Sequence, residues 1–107
     1  MDLEQYSVIL VNLDPTVGSE IKKTRPCVII SPNEMNKFLR TIVIAPMTTT
    51  PKKYPTRIPV KMNGQKGMIA IDQIRTIDRK RIIKVLDSLG KREIQKCKEV
   101  IKETFVD

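Results

Sequence analysis

Apolar positions in the first two-thirds of the chain come in short runs, none longer than four residues: Val8–Val11, Cys27–Ile30, Ile42–Ala45 and Met68–Ile71. Short runs rich in β-branched residues and bounded by turn formers read as buried strands. The pattern predicts strands over Tyr6–Leu13, Pro26–Ser31 and Thr41–Pro46. A loop containing Asp14-Pro15-Thr16 and Gly18-Ser19 separates the first two, and Ser31-Pro32-Asn33-Glu34 reads as a turn. Thr48–Pro55 is a polar loop. Thr56–Met62 alternates, with Ile58, Val60 and Met62 on one side and Arg57, Pro59 and Lys61 on the other. Proline cannot donate to a ladder, so Pro59 marks an edge strand. Asn63-Gly64 is a tight-turn dipeptide that closes a hairpin with a strand over Gly67–Gln73. Arg81–Leu86 gives one more strand.

The tail changes period. Ile94, Cys97, Ile101 and Phe105 lie on one face of a helix from about Lys91 to Thr104, with Val100 beside them. Such a helix is too short to stand alone and must lay Ile94 and Ile101 on the sheet. Five or six strands followed by one helix predict a mainly β fold, a small curled sheet or barrel with helical cover. At 107 residues the chain reads as a single domain over 1–107, with room for one core. No internal repeat or linker interrupts it.

Charge sharpens the picture. Lys and Arg number 20 against 12 Asp and Glu, for a net charge of +8. Between Met35 and Ile71 there are seven basic residues and no acid. That favours a polyanionic partner, against the plainer reading of a basic solvated surface. No histidine occurs, which excludes histidine acid–base chemistry and the usual zinc sites. No run approaches the ~20 apolar residues of a membrane span, and Met1–Gln5 has no signal-like pattern. A cytoplasmic location with no membrane partner is expected, and Cys27 and Cys97 read as reduced core thiols.

Four segments hold candidate chemistry. Asp14–Glu20 is followed by Lys22, Lys23 and Arg25-Pro26, placing a forked, permanently charged guanidinium at the mouth of a strand. Arg25 either faces phosphate or pairs with Glu20. Pro46-Met47-Thr48-Thr49-Thr50 ends a strand with hydroxyls that either donate to phosphate or cap the loop. In Lys52-Lys53-Tyr54-Pro55, the cations suit phosphates and the ring a base, or the segment is a solvated turn. In Asp72-Gln73-Ile74-Arg75, the Asp-Gln pair either faces a cleft or Asp72 and Arg75 satisfy each other.

In this order, the segments Asp-Pro-Thr-x-Gly-Ser-Glu, Arg-Pro-x-Val-Ile-Ile-Ser-Pro, Ala-Pro-Met-Thr and Asp-Gln-Ile-Arg-Thr-Ile-Asp-x-x-Arg closely resemble the MazF/PemK family. These are mRNA interferases, the toxins of type II toxin–antitoxin modules, and the resemblance runs from about Tyr6 to Phe105. It implies an SH3-like small β-barrel of the MazF/PemK/CcdB kind with a C-terminal helix, working as a homodimer. It implies metal-independent, cofactor-free cleavage of single-stranded mRNA at short sequences. The RNA 2′-hydroxyl is the nucleophile, leaving a 5′-hydroxyl and a 2′,3′-cyclic phosphate or 3′-phosphate.

By the same resemblance, Arg25 braces the reacting phosphate, Thr48 hydrogen-bonds it, and Glu20 orients Arg25 or takes the 2′ proton. RNA contacts fall to Lys22, Lys23, Thr49, Lys52, Lys53, Tyr54, Arg57, Gln73 and Arg75, with Gln73 on a base edge and Tyr54 in a base pocket. The implied partner is an antitoxin whose disordered acidic or amphipathic tail covers the cleft. The chain also departs from the family pattern. Some branches carry an arginine two residues before the Asp-Gln aspartate and assign catalysis to that pair. Here that position is Ala70, so Asp72 is not placed among the catalytic residues. Ile21-Lys22-Lys23 fill a space that is often glycine-rich, and Tyr6-Ser7 replace a frequent Gly-Asp. Two other readings are a catalytically silent RNA- or antitoxin-binding paralogue and a CcdB-like gyrase poison. The latter relies on a tryptophan near the end of the helix, and this chain has none.

Overall fold

The computed structural model describes residues 2–13, 24–50, 53–62 and 64–106. Seven strands and two α-helices follow in the order β1 (Ser7–Asn12), β2 (Thr24–Ile29), α1 (Asn33–Phe38), β3 (Thr41–Thr48), β4 (Arg57–Met62), β5 (Gln65–Ala70), β6 (Arg75–Asp78), β7 (Ile82–Ser88) and α2 (Lys91–Ile101). Every pairing is antiparallel. The sheet runs β4-β5-β3-β2-β1-β7, and β6 pairs with the start of β3.

The curl follows from connectivity. Strands β6 and β7 are opposite edges of the set β6-β3-β2-β1-β7, yet only the 3-10 turn Arg79–Arg81 lies between them. A flat sheet would hold those edges about 19 Å apart, four strand spacings. So short a link rolls the strands into a half-barrel.

Directly opposed residues of an antiparallel pair share a sheet face, so the register sorts the core. On one face Val8, Val28, Ala45, Met47, Ile58 and Ile69 pack with Cys97 and Val100 of α2. Ile94 and Ile101 are half-buried against the same cluster. On the other face Ile9, Val11, Cys27, Ile29, Ile42, Ile44 and Ile77 fill the inside of the roll. The helix and the roll thus cover opposite faces of one sheet.

The mainly β fold with a C-terminal helix, the Pro59 edge strand and the hairpin agree with the expectation. Met62 pairs with Gln65 across the turn, where Gly64 takes φ +80°. Four details differ. Ser31–Glu34 does not simply turn: it leads into α1, pinned by buried Asn36, whose Nδ2 donates to Leu3 O at 3.1 Å and Ser31 O at 2.9 Å. The strand expected to run to Gln73 stops at Ala70, and Ile71–Gln73 form a 3-10 turn. A further strand, β6, brings the total to seven. Helix α2 stops at Ile101, a wider π turn follows over Lys102–Val106, and Phe105 is exposed rather than laid on the sheet. Tyr6 carries the one non-glycine positive φ among the described residues, +69°. Its N–H donates to Ile29 O and its carbonyl accepts from Leu89 N, so both neighbours hold that conformation.

Candidate functional site

Pleat parity gathers the candidate side chains. Cys27 opposes Pro46, and continuing that register sets Arg25 opposite Thr48 at the strand ends. Thr48 in turn opposes Met68, Lys66 opposes Lys61, and Ala70 opposes Arg57. Ile44 opposes Arg75. Arg25, Thr48, Lys61, Lys66, Arg57 and Arg75 therefore all lie on the sheet face opposite helix α2. Where the roll ends, this face turns from apolar to cationic. Arg25 and Arg75 are exposed, and both are near enough to act electrostatically on the buried thiol of Cys27. Among the described residues Arg25 has no ion-pair partner.

Thr48 is half-buried, and its Oγ1 accepts from Thr50 N at 3.2 Å. That holds the strand end while leaving the hydroxyl proton to donate. A cleft of about 150 Å³ adjoins it, floored by Pro26, Met47, Met62 and Leu86. A wider hollow of about 520 Å³ lies beyond, bordered by Pro59, Lys61, Met68 and Glu93. Both are lined by Thr49, Lys66 and Gly67, so a continuous groove crosses β5 at Gly67. A Cβ there would come within 3.2 Å of Thr48 O, a tight contact that would push the two strands apart by a few tenths of an ångström.

The 3-10 turn sets the next part of the face. In a continuing strand Asp72 and Gln73 would point to opposite sides. In a 3-10 turn residues i and i+3 eclipse. Ile71 and Ile74 therefore both face the helix-side core, and Asp72 and Gln73 are both exposed. Asp72 does not pair with Arg75. Arg57 Nε donates to Asp72 Oδ1 at 2.8 Å, Arg57 Nη2 to Oδ2 at 3.2 Å, and Thr56 Oγ1 to Oδ1 at 2.9 Å. The hydrogen bond from Arg57 holds the Asp72 carboxyl below the usual range, with Thr56 adding to it, and the same bond raises the guanidinium. The Arg57 side chain is only 9% exposed and that of Asp72 35%. The Arg57 Cζ also sits 5.6 Å from the centre of the Tyr54 ring, within range of a cation–π contact.

The sequence reading did not find this cluster. It set Asp72 aside because position 70 is alanine, yet the guanidinium arrives from β4, directly opposite that alanine. The Asn63-Gly64 dipeptide carries the signal in the sequence, since a tight turn that sets Met62 against Gln65 fixes the pairing of 57 with 70. Lys53, Tyr54 and Thr49 are exposed, and Thr49 lines the groove. Glu20, Lys22, Lys23 and Lys52 lie outside the described residues. Burial pushes the Cys27 thiol up to about 12 and that of Cys97 up to about 11, so both stay protonated at neutral pH. Among the described residues no group of three or more Cys, Asp or Glu side chains converges to hold a metal. None of the described helices is long and apolar enough to cross a membrane.

Fold and face together define a small rolled β-barrel with a helical cover on one side, a groove running beside that helix, and a cationic face on the other side. Residues 4–105 match the family described as PemK-like, MazF-like toxin of type II toxin–antitoxin system, and the chain belongs to that family. It is 31% identical over 105 residues to the endoribonuclease MazF of Staphylococcus saprophyticus, covering 92% of this chain and 88% of that protein. It is 37% identical over 84 residues to the endoribonuclease PemK of Escherichia coli, covering 74% of this chain but 63% of that protein. Among solved structures, a MazE–MazF crystal form from Deinococcus radiodurans superposes with a TM-score of 0.81 at 20% identity, covering 96% of this chain and 95% of that one.

Proposed function

We propose that this chain, acting as one toxin domain over residues 1–107, is a sequence-specific, metal-independent endoribonuclease of a type II toxin–antitoxin module. Its substrate is single-stranded RNA and its setting the cytoplasm. What supports the reading is the Cys27–Pro46 pairing, whose continuation leads Arg25 and Thr48 toward each other on the cationic face, in a family whose matched relatives are endoribonucleases.

The chemistry needs little from a chain without histidine. The 2′-oxygen attacks the adjacent phosphorus, the bond to the 5′-oxygen breaks, and the 2′ proton leaves as the 5′-oxygen gains one. The products are a 2′,3′-cyclic phosphate and a 5′-hydroxyl. Charge grows on the phosphoryl oxygens as the ring closes. Arg25 meets it with a fixed guanidinium fork, and Thr48 with a hydroxyl held at a strand end. Glu20 orients Arg25 or takes the 2′ proton. Lys53, Arg75 and Gln73 bind the strand, and Tyr54 offers a half-exposed ring to a base. A homodimer carries two such faces. A cognate antitoxin with an acidic or amphipathic tail is the partner that the cationic surface favours, and the MazF of Deinococcus radiodurans, which shares this fold, is solved together with MazE.

Incubating the purified chain with a long defined single-stranded RNA in EDTA, then sequencing the fragment ends, tests this reading. Discrete cuts with 5′-hydroxyl ends are expected. Intact RNA, or cuts that need a divalent metal, would overturn it.

A further inference from the structure

A carboxylate on this face needs an explanation. From Met35 to Ile71 the chain carries no acid, and Asp72 is the first after that stretch. An unneutralised carboxylate there would repel the phosphates that the cations attract. The fold does not hide it: it turns Asp72 outward and tucks its neutralising cation behind it, the Arg57 side chain being 9% exposed and that of Asp72 35%. Oδ1 accepts from both Arg57 Nε and Thr56 Oγ1, which fills it, while Oδ2 takes one bond from Arg57 Nη2. One lone pair of Oδ2 remains for an outside donor. The surface therefore shows one oriented acceptor, with exposed Gln73 beside it.

We propose that Asp72 selects the nucleobase at one position of the substrate by accepting a hydrogen bond from an exocyclic amino group, and that Arg57 is the positioning residue that aims it. This rests on the endoribonuclease reading above and adds a specificity group to it. Adenine, cytosine and guanine each carry an exocyclic amino donor, whereas uracil's one base-edge donor, N3–H, is flanked by two carbonyl oxygens that a carboxylate repels. The site thus disfavours uracil at the position it faces. Arg57 serves through Asp72 rather than through phosphate: its Nε and one Nη2 hydrogen are spent on the carboxylate, and its charge is cancelled locally.

The test is cleavage of a randomised single-stranded RNA library, reading the sequence preference from the cut ends. Wild type should show one position with uracil depleted about tenfold or more, the discrimination of one good base contact. Asp72→Asn presents an amide that donates to a carbonyl, so uracil should enter at that position alone. Arg57→Ala should relax the same position. An unchanged preference with uniformly slower cutting in both variants would overturn the proposal. So would a wild-type preference with uracil accepted at every position. A second measurement needs no variant: replacing the selected base in a preferred site with its analogue lacking the amino group should slow wild-type cleavage about tenfold. An unchanged rate would also overturn it. A wild type that cuts nothing would instead fail the endoribonuclease reading itself, and this proposal with it.

Discussion

Arg25 and Arg57 lie on the same face of one sheet, yet they are opposite kinds of arginine. Arg25 is exposed at the end of β2, with no ion-pair partner among the described residues. Arg57 is covered and held by a carboxylate. Residue type and strand face are shared, so the difference comes from what lies across the ladder. Continued past its last pair, the β2–β3 ladder leads from Arg25 toward the hydroxyl of Thr48. Beyond Arg57 the β4–β5 ladder offers Ala70, too small to fill the space, with the 3-10 turn bringing Asp72 into reach. A free guanidinium can meet charge that develops during a reaction, whereas a neutralised one can only hold something else in place. Counting basic residues cannot separate these roles.

The comparison can be broken at several points. Arg25→Ala has the largest expected effect: cleavage falls by about 1,000-fold, the upper range for loss of one transition-state donor. Its melting temperature should stay near wild type, because an exposed side chain is removed. Thr48→Ala should follow at about 100-fold. Arg57→Ala should lower stability by about 1 kcal/mol, the low end for orphaning a charge partner because Asp72 remains partly solvated. The salt dependence of RNA binding sharpens the contrast. Arg25→Ala should reduce the log–log slope by about 0.7, the release from one single-strand phosphate contact, and Arg57→Ala should leave it unchanged. A lower slope for Arg57→Ala would mean that Arg57 touches phosphate.

The smallest effects are in the pH dependence of unfolding. Asp72 has a lowered folded pKa, so its contribution is present above the ordinary carboxylate pKa of ~3.9 and fades as pH falls below it. Asp72→Asn should flatten the acid limb of a denaturation series. Cys27 behaves in the opposite sense: its folded pKa of about 12 lies above the unfolded value. Its contribution is complete below ~8.5 and is lost as pH rises toward the folded value. Cys27→Ala should flatten the alkaline limb.

Much of this fold was legible in the chain. The strands of the buried runs, the edge position of β4, the hairpin and the start of α2 follow from period and turn chemistry. Helix α1 escaped because it has no amphipathic signal: Met35, Phe38 and Leu39 point to solvent, and what anchors it is a buried asparagine. The end of β5 was misplaced because Met68–Ile71 reads as one continuous strand. Only the three-residue spacing of Ile71 and Ile74 hints at the turn that exposes both Asp72 and Gln73. The Arg57–Asp72 pair was within reach, since a tight turn read from the Asn63-Gly64 dipeptide sets 57 against 70. Motif comparison looks along the chain, and this guanidinium comes from the neighbouring strand.

The most direct test of the central claim is single-turnover cleavage of one defined single-stranded RNA in EDTA by wild type and Arg25→Ala, with the dissociation constant of each measured on a 2′-deoxy analogue. The account predicts a rate loss of about 1,000-fold in the variant, with binding weakened by no more than about tenfold. An Arg25→Ala protein that cuts at the wild-type rate, or one whose entire loss lies in binding, would contradict it.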